Sequence, residues 1–389
     1  MAENIETVQG TSLWKDAWWR LLKNKLAVFG LIVMTIMVIA VIIGPAIIRW
    51  ATGFTADQMP SEGNLLKSFP PSLQHPMGTD ESGRDMLARV LQGGRISLMV
   101  GVISTIVSLI VGVSYGAIAG YLGGKIDNIM MRIVDIIYAI PYILIVIVLL
   151  QAFRGNNTEF LIQLLPVIIV SFVMLLGLAV ALVAIYRKLL TNPGINQLIL
   201  KIGYAVLTII AVVAVITLNY YFYQWFLSAL GASIGQTFTS RVGAGLSQIF
   251  LLFFSLGLVS WLTMARVVRG QILSLKNQEF VTAARATGVS TPNIIFRHLV
   301  PNALGPVIVY ATLTIPSVML TEAFLSFLGL GVQAPYASWG SLASDGIKNI
   351  AIYPWQLIFP GVTMALTLFS LNFLGDGLRD ALDPQTRKF

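Results

Sequence analysis

Ser233 lies in Gly231-Ala232-Ser233-Ile234-Gly235, the spacing of a nucleophile elbow, in which a tight strand-to-helix turn exposes a serine to a histidine and an acid. Its surroundings argue against that chemistry, because the flanks read as a membrane helix and a polar turn, and His75 is the only histidine expected on the same side. The absence of cysteine excludes disulfides, thiolate metal sites and thiol nucleophiles. Two histidines cannot make a His-rich metal site, and no H-E-x-x-H occurs. A phosphate-cradling G-x-x-x-x-G-K-[ST] loop is missing too: Gly124-Lys125 has Ala119 where glycine is required and Ile126 where a hydroxyl is required. The chain thus carries no recognisable catalytic centre and is read as a non-enzyme. Two carboxylates remain, Asp135 and Glu322, each near the end of an apolar segment, where an ionisable group is by default a pathway candidate. Each has a plainer account: Asp135 stands one turn from Arg132 and can pair with it, and Glu322 is near enough to the outer interface to reach water.

The elements that must hold these groups are membrane helices. Of 389 residues 56% are hydrophobic and 11% charged, against about 25% charged in soluble domains. Mean hydropathy is +0.81. Crossing the hydrocarbon takes ~20 apolar residues, and eight segments qualify: 26–48, 96–119, 129–150, 160–186, 202–226, 246–264, 303–325 and 355–374. The fold class is all-α and polytopic. The first apolar run is longer than a signal-peptide core and no small-residue cleavage site follows, so it reads as a retained span. Before it, residues 1–25 are expected to form a cytoplasmic, interfacial helix with Trp14, Ala17, Trp18, Leu21 and Leu22 on its apolar side.

A cytoplasmic N-terminus puts 1–25, 120–132, 187–201, 265–302 and 375–389 on one side, with 17 of the 25 lysines and arginines. That bias fits the positive-inside rule, and it explains the net charge of +8 without invoking nucleic acid. Arg84, Arg89 and Arg95 are exceptions in the external connection 49–95, where Asp80, Glu81 and Asp85 offer local partners. In the second span Gly112, Gly116 and Gly120, with Gly124 continuing the row, make one face suited to close helix packing.

Between the sixth and seventh spans stands Glu279–Asn302, EFVTAARATGVSTPNIIFRHLVPN, polar and basic between apolar neighbours. Good helix formers over 279–286, Gly288 at a turn, and Thr291-Pro292 as N-cap and first helical residue predict two short helices at an angle, standing out of the membrane. Close membrane spans on both sides disfavour a DNA-reading role.

Ala283-Ala284, Gly288 and His298-Leu299-Val300-Pro301 resemble the EAA loop of ABC-importer permeases, with Thr282 where the general motif has Glu, and His298 and Val300 where it has Ile and Leu. Those departures are similar to the dipeptide, oligopeptide and nickel branch, as are HPMGTDESGRDMLARVL at 75–91, MRIVDIIYAIPYIL at 131–144, SFLGLGVQAPYASWG and LNFLGDGLRDALDP. The resemblance implies a type I importer core of six helices: the first span, 96–154 with spans two and three, and 246–389 with the coupling loop 265–302 and an external vestibule segment 326–353. The segment 155–245, without an evident counterpart in that pattern, is then an inserted two-span hairpin. It implies that Glu279, Ala283, Ala284, Arg285, Gly288, Arg297 and Pro301 engage an ATPase. The expected partners are a second, similar permease, two ATP-binding subunits that hold the ATP and magnesium, an extracellular solute-binding protein and membrane lipids, with no cofactor in this chain. The location implied is the prokaryotic inner membrane, both termini cytoplasmic. A self-sufficient carrier or channel is the alternative, but it calls for inverted repeats with broken helices and midplane charges.

Overall fold

The computed structural model describes residues 13–57, 68–141, 143–147, 217, 221, 232–334 and 336–382. The chain divides into two compact units, one of residues 1–150 with 249–389 and the other of 151–248. The expected hairpin span 160–186 lies outside the described residues, as does 202–226 except for residues 217 and 221, which are helical.

Helix α1 (Leu13–Lys23) is amphipathic, and Asn24 both ends it and caps α2 (Lys25–Thr52), its side-chain oxygen accepting from Leu26 N at 3.1 Å and Ala27 N at 3.3 Å. The apolar face of α1 divides: Ala17 and Leu21 pack on Leu374, Leu378 and Ala381 near the C-terminus, whereas Trp18 and Leu22 remain exposed. Along α2, Leu26, Phe29, Ile32, Ile36, Ile39 and Ile43 are exposed, an apolar face suited to hydrocarbon. Pro45 inside α2 deprives the Val41 carbonyl of its partner. Arg95 fills the gap, donating from Nε to Val41 O at 2.8 Å and from Nη2 to Ile42 O at 2.5 Å.

Helix α3 (Met86–Leu122) starts ten residues before the expected span because Asp85 caps it, accepting from Ala88 N at 2.8 Å. Its 37 residues extend for ~55 Å, well beyond a ~30 Å hydrocarbon layer. Ahead of it Asp80 organises the turn: Oδ1 accepts from Ser82 N and Arg84 N at 2.9 Å each, and Oδ2 pairs with Arg84 Nε at 2.7 Å and with Arg89. His75 Nδ1 lies 2.8 Å from Asp85 Oδ2. Arg84 and Arg89, expected on the external side, are thereby paired locally.

Gly123 and Gly124 carry φ of 65° and 57°, so they make the turn into α4 (Gly124–Ala139), and Gly124 leaves the packing row it was expected to continue. At Ile140 the backbone is extended before Pro141, and helix resumes at 143–147, so the third expected span is broken. Five helices or parts of helices are long and apolar enough to cross a membrane among the described residues: α2, α3, Leu252–Leu275 within α5 (Ala232–Leu275), Thr291–Phe327, and α9 (Trp355–Leu382). Ser233 stands inside a helix, Ala232–Leu275, and not at the polar turn expected for it.

Trp339, 1% exposed at the start of α8 (Trp339–Lys348), is the centre of a buried cluster. Its Nε1 donates to Val90 O at 2.8 Å and its N–H to Ser97 Oγ at 2.9 Å, while Val41, Met86, Met319 and Leu371 close around it. Gly94 makes the room: a Cβ there would lie 2.6 Å from Trp339 Cζ2.

Candidate coupling loop and pathway cavity

The loop between the apolar parts of α5 and α7 (Val300–Phe327) begins with α6 (Glu279–Ala286). Val281 and Ala284 face inward at 0% and 8% exposure, and Glu279, Phe280, Thr282, Ala283 and Arg285 are exposed. Ala284, which the resemblance placed among the coupling residues, packs largely against this chain, so the outer face of α6 is made by Glu279, Phe280, Thr282, Ala283 and Arg285. Gly288 has φ 78° with nothing within 4 Å of the Cβ it lacks, so the turn requires glycine for its backbone angle and not for close approach.

The second half of the loop is not a separate short helix. Ser290, not Thr291, occupies the N-cap position of the turn Thr291–Asn293, which passes into a π-helix over Ile294–Leu299 and directly into α7. The wider register, with Val300 N donating to Ile295 O, carries the helix to the point where Pro301 has no N–H to give. Movement at this half of the loop is thus continuous with a membrane span. Phe296, Arg297 and Pro301 are exposed on it.

Several contacts tie the base of the loop to α3 and α4. Arg269 Nε and Nη2 meet the two Asp127 oxygens at 2.5 and 2.7 Å, a bidentate pair with Asp127 5% exposed. Lys276 Nζ donates to Gly120 O at 3.1 Å, and the Arg285 guanidinium lies 5.2 Å from the Tyr121 ring centroid. The glycine row faces α5: a Cβ on Gly112 would come within 2.6 Å of Met264, one on Gly116 within 3.0 Å of Arg269 N, and one on Gly120 within 2.9 Å of Arg269 O.

Above this base, α4, α5 and α7 enclose a cavity of about 540 Å³. The polar side chains of its lining are uncharged hydroxyls, Tyr138, Ser260, Thr263, Tyr310, Thr314, Ser317 and Thr321, and the break at Ile140–Pro141 forms part of its wall. At its edge Asp135 Oδ1 accepts from Arg266 Nη2 at 2.9 Å, and the same guanidinium stacks 4.2 Å over Tyr138, a cavity residue. The partner of Asp135 is therefore Arg266 from another helix and not Arg132 from its own. Glu322, at 1% exposure, does not reach water: Oε1 accepts from Ser326 Oγ at 2.8 Å and Ser338 Oγ at 2.7 Å, tying α7 to the N-terminus of α8.

Arg266, Arg269, Asp127, Tyr138, Lys276 and Ser338 were not singled out from the sequence. A signal existed for some of them: Arg266 and Arg269 fall one turn apart in an apolar run, and Asp127 and Asp135 two turns apart, so complementary faces were readable, though not which helices meet.

Comparison with known proteins gives this geometry a family. The profile described as binding-protein-dependent transport system inner membrane component matches residues 112–190 and 161–388, and that of the N-terminal TM domain of oligopeptide transport permease C matches 12–68. The chain is 37% identical to the oligopeptide transport system permease protein OppC of Haemophilus influenzae over 100% of its own length and 94% of that protein's. With the OppC of Bacillus subtilis the identity is 36%, again over 100% and 94%, and with the dipeptide transport system permease protein DppC of the same organism 36%, over 96% and 86%. Matches of this depth along the whole chain make it a member of the family of inner-membrane components of binding-protein-dependent transport systems.

Proposed function

We propose that this chain is a permease subunit of an ATP-driven importer of di- or oligopeptides, forming half of the pathway and coupling through residues 279–302. The observation that carries the coupling role is the exposed face of the loop: Phe280 and Phe296, 37% and 48% exposed, flank Ala283 and Gly288 beside Arg285 and Arg297. Exposed aromatics among cations, in a loop whose inner face is already buried, are the composition of a surface that another protein covers. The chain has no phosphate-binding loop, so the ATP would be held by the partner. The solute class follows the relatives named for oligopeptides and dipeptides. A second permease, two ATPases and an external receptor complete the assembly, in a core of six helices with both termini cytoplasmic and 155–245 a peripheral hairpin.

Rigid contact is the means of coupling. Closure of the ATPases would push α6 and the start of α7 together, and the Asp127–Arg269 and Lys276–Gly120 ties would pass that displacement to α3 and α4, the second of which walls the cavity. Substituting Phe280 and Phe296 together by alanine is expected to strip the ATPase from the purified complex while leaving the chain in the membrane. Retention of the ATPase with unchanged solute-stimulated hydrolysis would end the reading of this loop as the docking element. Full peptide uptake by the chain alone in proteoliposomes would instead identify a self-sufficient carrier.

A further inference from the structure

Among the described residues four charged side chains bridge α4 and α5, and they form two unlike pairs. Asp127–Arg269 is bidentate, its carboxylate buried at the level where α3 turns into α4, as a structural tie should be. Asp135–Arg266 has one contact, and its side chains are 52% and 37% exposed. Asp135 falls in the third expected span, and Arg266, expected just past the end of the sixth, lies within the apolar stretch Leu252–Leu275; an open ion pair facing lipid there would be costly, so its open side faces water or solute. The cavity supplies that side. Tyr138 lines it and lies under the Arg266 guanidinium, and Thr263, one turn before Arg266 on α5, lines it as well. The pair is thus the charged rim of a cavity whose own hydroxyls carry no charge.

We infer that Asp135 and Arg266 form a charge-exchange gate for a zwitterionic solute. When the rim is closed they pair with each other; a passing peptide offers its α-carboxylate to Arg266 and its α-ammonium to Asp135, so each charge loses one partner only by gaining an equivalent one. This inference rests on the proposed role in peptide import. It also links binding to opening, because an extended chain advances ~3.5 Å per residue, and a peptide held at both ends must part the two side chains by roughly its own length. Tyr138, at the end of α4 just before the extended Ile140 and Pro141, stands where such a separation can be absorbed.

The test uses the complete importer with its receptor and ATPases in proteoliposomes and compares uptake of trialanine with free ends, N-acetylated, and C-amidated. The receptor is the same throughout, so any change in preference between variants belongs to this chain. The wild type should favour the free peptide over either blocked form. Asp135→Asn should abolish the part of that preference owed to the free amine, by about tenfold, the scale of one charge-assisted hydrogen bond, and keep the preference for a free carboxylate; Arg266→Gln should do the converse. Should Arg266→Gln fail to co-purify with its partners, Arg266→Lys, which keeps the charge but loses the planar fork over Tyr138, should show a reduced carboxylate preference. Equal loss for all three peptides in both variants would make the pair purely structural and overturn the gate, as would unchanged preferences or a wild type indifferent to blocking. A wild-type importer that takes up no peptide at all would overturn the peptide reading itself, a different failure.

Discussion

Pro45 and Arg95 show how a single side chain can repair a helix in a solvent that offers no hydrogen bonds. The proline removes the amide that would have reached the Val41 carbonyl, and the guanidinium 54 residues away supplies the missing donor. Arg95→Gln should lower stability by about 1–3 kcal/mol, the usual cost of leaving a buried acceptor unpaired. Pro45→Ala restores the backbone donor, so in that background Arg95→Gln should cost much less, and a double-mutant cycle on unfolding in detergent measures the coupling. Additive effects would mean that the arginine is held for another reason. At Gly288 the positive φ makes a β-branched residue an outlier, with strain of roughly 1–3 kcal/mol. Gly288→Val is expected to leave membrane insertion intact and to abolish solute-stimulated ATP hydrolysis in the reconstituted complex. The need for glycine at this turn was readable from the sequence, because residue type and local spacing carry it. The partners of Arg95 and Asp135, and Ser338 as a partner of Glu322, were not, because they come from other elements of the fold.

Helix α8 owes its position to contacts that converge on its first turn. Ser338 caps it, and the same hydroxyl donates to Glu322 Oε1, where Ser326 Oγ also arrives, while Trp339 fills the space left by Gly94. The carboxylate works here as a junction between α7 and α8. Glu322→Gln keeps an acceptor oxygen and should preserve the junction, whereas Glu322→Leu leaves two buried hydroxyls without their acceptor. We expect faster amide exchange over 339–348 in the leucine variant and near-native exchange in the glutamine variant; equal protection in both would remove Glu322 from the support of this helix. The elements themselves were legible wherever hydrophobic length decides, as in α2, α7 and α9. Their ends were not, since Asp85 starts α3 ten residues outside the apolar run and the π-turn at Ile294–Leu299 merges a loop helix with a span, both through local hydrogen bonding that hydropathy does not register.

Across the whole molecule the remaining expectation is orientation, and it follows from charge. Lysines and arginines gather in the segments that include α6, whereas the described arginines of the opposite side are largely engaged: Arg84 and Arg89 by Asp80, and Arg95 by carbonyls of α2. The excess of lysine and arginine on the side of α6 is the orienting signal, so we expect that side to stay in the cytoplasm. The chain contains no cysteine, which makes labelling at single introduced thiols unambiguous. Leu73, fully exposed in the connection before α3, and Thr282, exposed on α6, are on opposite faces by this reading. A membrane-impermeant maleimide added to spheroplasts should modify Leu73→Cys at once and Thr282→Cys only after the membrane is opened. The reverse order would invert the topology, place the loop 279–302 outside where no ATP is available, and remove the coupling role from it altogether.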